Sequence, residues 1–554
     1  MSAQTVEKRN RQIARSTLIV MLAFGAAKLI SLGQTVIIAN VFGVGREWDA
    51  FVTANSIPEL IFTLIAGGAL AHAFIPIFGG FLARDDPDGA WRTASHVINT
   101  VFTLTLLVSA VVFLIAPWLV AAVVAPGFDA AGQRQTVDLM RILLVSTLIF
   151  SISGIAMGIL QSFNHFLLPA LAPIMFDIGI LIGVILLIRP FGVRGIAFGA
   201  VLGAALHLGV QVPGLVRYKL RWKSDLGLRD PVLWRVFRLM LPRVAGLGVF
   251  SLNFLIMNNI ASRLGEGSVS ALSWGWRLMQ IPQTLIGTAM GTVIFPTLAA
   301  LSELGDAAGK RDAMSGALRF ILLASIPSAI GLIFVGQPLI RLLERGAFDA
   351  SASMLVYSTL RFFALGIVVH STLEVVARSF YADKDTLTPL WAALIGAAIN
   401  LVLSFALSNV ARVEAFGLQN MALAQFSLLA PRIEWGQVGG LALANTIGTT
   451  FEVGILLLVL RRRWHGIHES ALARLVVKTL AASLIMALVI VIINFGWDSV
   501  RLADRGLSGL IFQIVVESGA GLTAFVVAAM LLRVDELGVF ARLVLRRRLV
   551  SQGA

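Results

Sequence analysis

The sequence predicts an all-α protein that crosses a membrane many times, and three observations predict it. Of 554 residues, 58% are apolar and 13% charged, whereas a typical soluble domain has about 25% charged residues. Apolar runs of about 20 residues, enough to cross a ~30 Å hydrocarbon core as a helix, recur from Ser16 almost to the C-terminus. The runs are continuous rather than alternating with period two, which excludes a transmembrane β-barrel.

Taken in order, the runs predict fourteen spans. A basic tail at 1–16, with Lys8, Arg9, Arg11 and Arg15, precedes the first span at 17–43. No small-residue cleavage site closes a short apolar core there, so this is expected to be an uncleaved helix rather than a signal peptide. Spans 49–82, 92–123, 134–162, 166–188 and 194–219 complete an N-lobe at 17–219. A basic linker at 220–232 leads to a C-lobe at 233–461, with spans 233–262, 268–301, 311–343, 351–381, 386–409 and 434–461. Within it, 411–433 is amphipathic and is expected to lie at the interface. The region 462–532 adds spans 471–495 and 506–532, and a basic tail at 533–554 follows.

The chain carries 44 Lys+Arg against 30 Asp+Glu, a formal charge of +14. The excess sits in loops between spans, so it reads as the positive-inside bias and not as a nucleic-acid surface. The cation-rich loops hold Arg217, Lys219, Arg221, Lys223 and Arg229, then Arg461 to Arg463, then Arg546 to Arg548. They alternate with loops holding scattered cations, which places both termini in the cytoplasm. There is no cysteine, which removes disulfides, thiol catalysis and Cys-ligated metals.

An internal repeat organises the spans. Phe128-Asp129-Ala130, with Arg141 after it, returns as Phe348-Asp349-Ala350 with Arg361, 220 residues later. Pro76 and Pro296 share that spacing, and Pro58 and Pro282 come close to it. Gly195-Ile-Ala-Phe…Gly203 is matched by Gly440-Leu-Ala-Leu…Gly448, and the larger offset accommodates the 411–433 insertion. A repeat of six spans keeps its orientation in the membrane. The expected architecture is two six-helix lobes related by a pseudo-twofold along the membrane normal, plus two extra C-terminal helices. Such lobes enclose a midplane cavity whose access alternates. The arrangement points to a transporter rather than a channel, membrane enzyme or scaffold.

Ionisable residues within spans are expensive and mark candidate sites. Lys28 stands about eleven residues into the first span, roughly 16 Å at 1.5 Å per residue, too deep to snorkel out. Arg277 is similarly deep in 268–301, and Arg243 follows Pro242 in 233–262. Glu59 follows Pro58, where a kink could aim it inward. Asp177 is a further acid inside a span. For Arg141 and Arg361 a structural role is at least as good a reading as substrate contact, and Glu374 and Arg378 are spaced for a local pair. His72, His207 and His370 are expected to be hydrogen-bonded interior histidines. No HExxH, Gly-rich phosphate loop or nucleotide-binding domain is found, so neither catalysis nor ATP-driven transport is expected.

Three stretches resemble a known family. They are Phe42-Gly-Val-Gly-(x3)-Asp49-Ala-Phe with Ile57-Pro58, Gly68-Ala69 and Ala73-Phe-Ile-Pro76; Gly267-Ser-Val-Ser-Ala-Leu-(x4)-Arg277-Leu-(x2)-Ile-Pro282; and Arg378-Ser-Phe-Tyr-Ala-Asp-Lys-Asp-Thr-Leu-Thr-Pro389. The set is similar to the signatures of the MviN/MurJ lipid II flippases. The resemblance implies fourteen helices, a V-shaped outline and a cationic cavity in a bacterial inner membrane. It also implies transfer of an undecaprenyl-linked peptidoglycan precursor from the inner to the outer leaflet. The partners it implies are the lipid-linked saccharide, membrane lipids and cell-wall synthesis machinery.

The chain departs from that pattern at several places. The family usually has two arginines in the first span; Lys28 and Gln34 hold those positions. An Arg-Arg pair after the second-span proline is replaced by Phe62-Thr63, the following acid by Gly67, and the acid before Arg277 by Trp276. A sodium-binding acid known in some members is missing, leaving Asn258 and Asn259, with Asn400 as a further candidate ligand. No cofactor is expected; coupling is expected to the membrane potential or a monovalent cation. The expected substrate-binding set is Lys28, Gln34, Asp49, Glu59, Arg243 and Arg277. An exporter of another lipid-linked glycan or of amphiphilic drugs, or a non-transporting scaffold, stays open at this point.

Overall fold

The computed structural model describes residues 30–66, 68–163, 165–408, 438–500, 506–534 and 536, apart from the side chains of 66–72, 242–243 and 498–500. The described elements are all helical. The expected tail 1–16, the interfacial segment 411–433 and Lys28 lie outside the described residues. The chain divides into two compact units, Met1–Val269 and Ser270–Ala554.

The first unit contains α1 (Ile30–Phe42), α2 (Arg46–Ile61), α3 (Gly68–Ala83), α4 (Pro87–Leu119) and α5 (Ala130–Ser162). It continues with α6 (Leu167–Ile182), α7 (Ile188–Phe191), α8 (Arg194–Gly209), α9 (Val212–Arg217) and α10 (Pro231–Ser262). The second contains α11 (Ser268–Gln283), α12 (Ala289–Glu303), α13 (Ala307–Arg341), α14 (Ala350–Ala382) and α15 (Leu387–Leu407). It ends with α16 (Val438–Arg463), α17 (Glu469–Val500) and α18 (Gly506–Leu531).

Among the described residues, twelve helices are long and apolar enough to cross a membrane. The first two expected spans, 17–43 and 49–82, are represented only by the shorter apolar helices Ile30–Phe42 and Ala73–Ala83. The protein is thus an all-helical polytopic membrane protein. Its helices carry exposed Leu114, Trp118, Leu285, Val293, Val402 and Phe495, which water would not tolerate in such number and lipid does.

The linker expected to separate two lobes does not mark the boundary between the compact units, which falls one helix later. Helix α10 packs on α2, α3 and α4, and its Leu233, Val236 and Met240 join the core of Phe74, Phe78, Trp91 and Ile155. In the second unit, α12, α13 and α14 build a corresponding core around Leu298, Met314, Ile321 and Phe380, closed by Trp464. Helices α17 and α18 pack on α13 through Val335, Leu475, Met486, Ile490 and Phe525.

The repeated motifs have physical roles. The aspartates of both Phe-Asp-Ala motifs are N-caps: Asp129 accepts from Gly132 N at 2.8 Å, and Asp349 from Ala352 N at 2.8 Å. A second pair of caps at the same spacing was not expected from the sequence: Asp86 caps α4 and Asp306 caps α13, each accepting from a glycine N–H at 2.8 Å. Each cap fills one of the orphan donors of a helix start. The prolines mark another shared feature. After Pro58 the helix widens into a π turn at Phe62–Ala66, and after Pro282 into one at Thr284–Thr288.

The glycine pattern is a packing device. A Cβ on Gly203 would stand 2.6 Å from the Phe176 carbonyl oxygen, so α8 and α6 meet backbone to backbone. One on Gly448 would stand 2.6 Å from the Gly396 carbonyl oxygen, and α16 and α15 meet the same way. Small residues allow this approach where lipid gives no hydrophobic drive for helices to associate.

Hydrogen bonds from Ala352 N and the Ser351 hydroxyl hold the Asp349 carboxyl below its ordinary range. A depressed folded-state pKa contributes stability that is present above the unfolded pKa and is lost as pH falls through the folded value. Asp349→Ala should therefore lower thermal stability in detergent by about 1 kcal/mol at neutral pH, and Asp349→Asn by much less. The gap between wild type and Asp349→Ala should close on acidification below the ordinary aspartate range.

Candidate functional site

In the first unit, the site elements converge where α2 begins and α10 ends. Phe42, Trp48 and Phe51 stack with ring centroids 5.7 and 5.2 Å apart, which fixes the first turns of α2. That turn carries Asp49, 2% exposed, whose Oδ2 accepts from Gly267 N at 2.6 Å. Arg46 N donates to Glu266 Oε1 at 3.0 Å, and its guanidinium pairs with Asp129. Asn258 Nδ2 donates to Ser56 Oγ at 3.1 Å, and Asn259 Nδ2 to the Val123 carbonyl. Gly127 N donates to Ser262 Oγ at 3.2 Å. The end of α10 is thereby sewn to α2 and to the turn after α4.

Other expected site residues of this unit lie further along the helices. Gln34 is 9% exposed on α1. Glu59 is exposed beside the π turn, and its Oε2 accepts from Asn55 at 3.2 Å. Arg243 lies on α10, its side chain outside the described residues. An open basin of about 550 Å³ adjoins the Arg46 corner, between Arg46, Arg134, Phe191 and Arg194. Two of its cations are paired, Arg46 with Asp129 and Arg194 with Asp138.

In the second unit, Arg277 is exposed on α11, and its neighbour Trp276 sets its direction. The Trp276 ring packs edge-on against Phe363 and His370 of α14, 5.3 and 5.2 Å between centroids. Thr359 Oγ1 donates to the Ala271 carbonyl at 2.9 Å. With one face of α11 held on α14, the next residue, about 100° around the helix, points away from that contact. Asn400, on α15, is 1% exposed and its Oδ1 accepts from Ser404 at 3.1 Å.

Several in-span polar residues are satisfied locally. Arg141 donates to the Phe113 carbonyl at 3.1 Å and lies 4.7 Å over the Phe113 ring. Its repeat mate Arg361 lies 5.2 Å over Phe362. Arg378 pairs with Glu374 at 2.8 Å. His207 is hydrogen-bonded to Ser153 at 2.6 Å and His370 to Asn445 at 3.3 Å, as expected of interior histidines.

Two polar networks were not anticipated as structures. The first explains the Arg378–Pro389 motif. Asp383 takes Lys310 and Ser302, and Lys384 pairs with Glu303 at 2.9 Å. Asp385 accepts from Thr388 N at 3.0 Å, from its hydroxyl at 2.7 Å and from Arg463 at 2.6 Å. Burial pushes the Asp385 carboxyl up, but the bonds from Thr388 and Arg463 outweigh it and hold it below the ordinary range. The second network fastens the linker to α4. His96, 6% exposed, has Nδ1 3.0 Å from Asp230 and Nε2 3.2 Å from Asp225. Asn99 donates to the carbonyls of Lys223 and Asp225 at 2.7 Å, and Thr100 to that of Leu226 at 2.8 Å. The sequence signal for both was present as acids and amides in loops, but their partners stand about 80 to 130 residues away.

The buried bond from Gly267 to Asp49 generates a prediction. A hydrogen bond to an ionised carboxylate is worth about 1.5–3 kcal/mol. Asp49→Ala should lower unfolding stability by about 2 kcal/mol, measured by thermal unfolding of the purified protein, while Asp49→Asn keeps part of the bond and loses less.

Comparison with known proteins places this arrangement. A family model described as lipid II flippase MurJ matches residues 38–501. A probable lipid II flippase MurJ of Rhizobium tropici is 30% identical over 537 residues, covering 94% of this chain and 95% of the relative. The lipid II flippase MurJ of Burkholderia cenocepacia is 30% identical over 489 residues, covering 86% and 89%. Among solved structures, a lipid II flippase MurJ in an inward closed conformation shares the fold with a TM-score of 0.73 at 23% identity, covering 94% of this chain and all of that one. An inward-facing multidrug resistance MATE transporter of the MOP superfamily does so with a TM-score of 0.63 at 16% identity, over 81% of this chain and 96% of that one. With a family model matched over most of its length and a relative this similar end to end, the chain belongs to the lipid II flippase MurJ family.

Proposed function

We propose that this protein flips lipid II, moving its polyprenyl-pyrophosphate-linked saccharide from the inner to the outer leaflet of a bacterial inner membrane. The match of the family model over residues 38–501 carries this reading, and the relatives named lipid II flippase are matched over nearly their whole length. Fourteen spans form two six-helix repeats of like orientation and an added C-terminal pair, with both termini in the cytoplasm. The paired aspartate caps and the paired proline and π turns support the repeat.

The chemistry of the site follows from its cations. Arg277 offers a planar two-donor fork that fits a phosphate, while Lys28 offers a point charge at a position where the family has arginine. Each is a cation suited to the charge of a pyrophosphate. Gln34, Glu59 and Arg243 contribute polar contacts to the headgroup, and Asp49 shapes the outer mouth by holding the 265–267 turn. The polyprenyl tail stays in lipid, because carrying it through a polar path would expose its apolar surface.

Two experiments test this reading. In a strain depleted of its own lipid II flippase, the native chain should restore growth, and Arg277→Ala should abolish the rescue. Lys28→Arg should rescue as well or better, and Lys28→Glu should fail, since it sets like charge against the substrate. If the membrane-inserted native chain fails while a version with arginine at Lys28, Gln34 and Thr63 succeeds, the cargo is another lipid-linked glycan.

Sidedness is checked separately on the cysteine-free background. Cysteines at the exposed positions Ala131 and Ser351 should react with an impermeant thiol reagent in intact cells. One at the exposed Ser224 should react only after permeabilisation. The reverse pattern would invert the transport direction.

A further inference from the structure

Helix α18 carries an acid that none of the roles above uses. Glu517 lies eleven residues after Gly506 and fourteen before Leu531, near the middle of the helix, and is 0% exposed. Its Oε1 accepts from Gln513 Nε2 at 2.6 Å. The same nitrogen donates to Asn494 Oδ1 of α17 at 3.2 Å, so both amide hydrogens of Gln513 are engaged. Two buried oxygens of these adjoining side chains remain without a hydrogen: Glu517 Oε2 and Gln513 Oε1.

No cation among the described residues neutralises Glu517. Those on the helices packed against α18 are engaged elsewhere or stand far along the helix. On α13, Lys310 pairs with Asp383, Arg311 with Asp312, Arg319 with Glu536 and Arg341 with Glu344. On α17, Lys478 donates to the Arg533 carbonyl, and Arg474 lies in the first turns, at the opposite end from Asn494. A bare carboxylate in such a place is costly, and an ionised carboxylate only accepts hydrogen bonds, so it cannot satisfy the Gln513 carbonyl.

We propose that Glu517 is a proton-binding site of the C-terminal helix pair, in which a proton on Oε2 is donated to Gln513 Oε1 and closes a cyclic acid–amide pair. One proton removes the charge and satisfies both orphaned oxygens. A larger ligand is excluded, because both oxygens are buried. A metal ion would need a fuller shell of oxygens than these two. Loss of the proton would set two acceptors against each other in a dry seam, so the proton leaves only when water reaches the contact between α17 and α18. The site holds whatever the cargo is.

Infrared spectroscopy of the full-length protein in lipid tests it. The native chain at neutral pH should show the carbonyl stretch of a neutral carboxylic acid, shifted after exchange into D2O. The difference spectrum against Glu517→Gln, whose amide can make the same cyclic pair, should show that band lost. A band that is absent, or that persists unchanged in Glu517→Gln, overturns the proposal. Should Glu517→Gln fail to insert, Gln513→Leu gives the second reading. The band should then move to the position of an unbonded acid, and a band that does not move overturns the pairing.

Discussion

Hydrocarbon offers no hydrogen bonds, and this constraint decides where the chain can place each polar atom. Hydroxyls within spans fold back onto their own helix: Thr105 on the Val101 carbonyl, Thr136 on Gly132, Thr372 on Val368 and Thr450 on Thr446. In-span ions find a partner one turn away, as Glu374 and Arg378 do, or lie over an aromatic face, as Arg141 does. The helix starts at α4, α5, α10, α13 and α14 are closed by aspartates that accept from the first free N–H groups. Where polar needs are met inside a helix in this way, its contact with a neighbour falls to shape. Glycine faces supply it at α6 with α8 and at α15 with α16.

The same devices occur twice because the same physical problem occurs twice. Asp86 and Asp306, Asp129 and Asp349, Gly203 and Gly448 each do one job in each unit. The proline and π turn pairs belong to this set. A π turn forgoes the regular α-helical bonding pattern, and such bulges gather at functional sites. Here one directly follows the exposed Glu59 and the other begins seven residues after the exposed Arg277. Two of the helices that carry such a turn thus also carry candidate substrate contacts.

The spans were legible because about 20 consecutive apolar residues have one common use; α4 to α18 follow the expected runs closely. The recurrence of the Asp129 and Asp349 caps and of the prolines was legible because caps and kinks demand particular residue types. The Asp86 and Asp306 caps escaped notice because their surroundings, Asp-Asp-Pro-Asp and Leu-Gly-Asp-Ala, share little besides the cap. Arg277 and Asp49 were legible as candidates from depth and motif, yet the job of Asp49 in holding Gly267 depends on a partner 218 residues away. Glu517 was not legible, because a single acid in an apolar run belongs to no motif and its meaning lies in which neighbouring atoms lack hydrogens. The α10 packing was illegible for a similar reason: an apolar helix face does not say which neighbour it meets.

The buttoned linker has a consequence for how the protein is made. Ser95, His96, Asn99 and Thr100 on α4 are bonded to the segment from Arg221 to Asp230. On a ribosome adding ~5–20 residues per second, that segment emerges many seconds after α4. The intervening helices must enter the membrane while this patch of α4 still waits for its partners. Closure of the first unit is thus a late event in its synthesis, and the polar start of α4 is left meanwhile to the care of water or of a membrane chaperone.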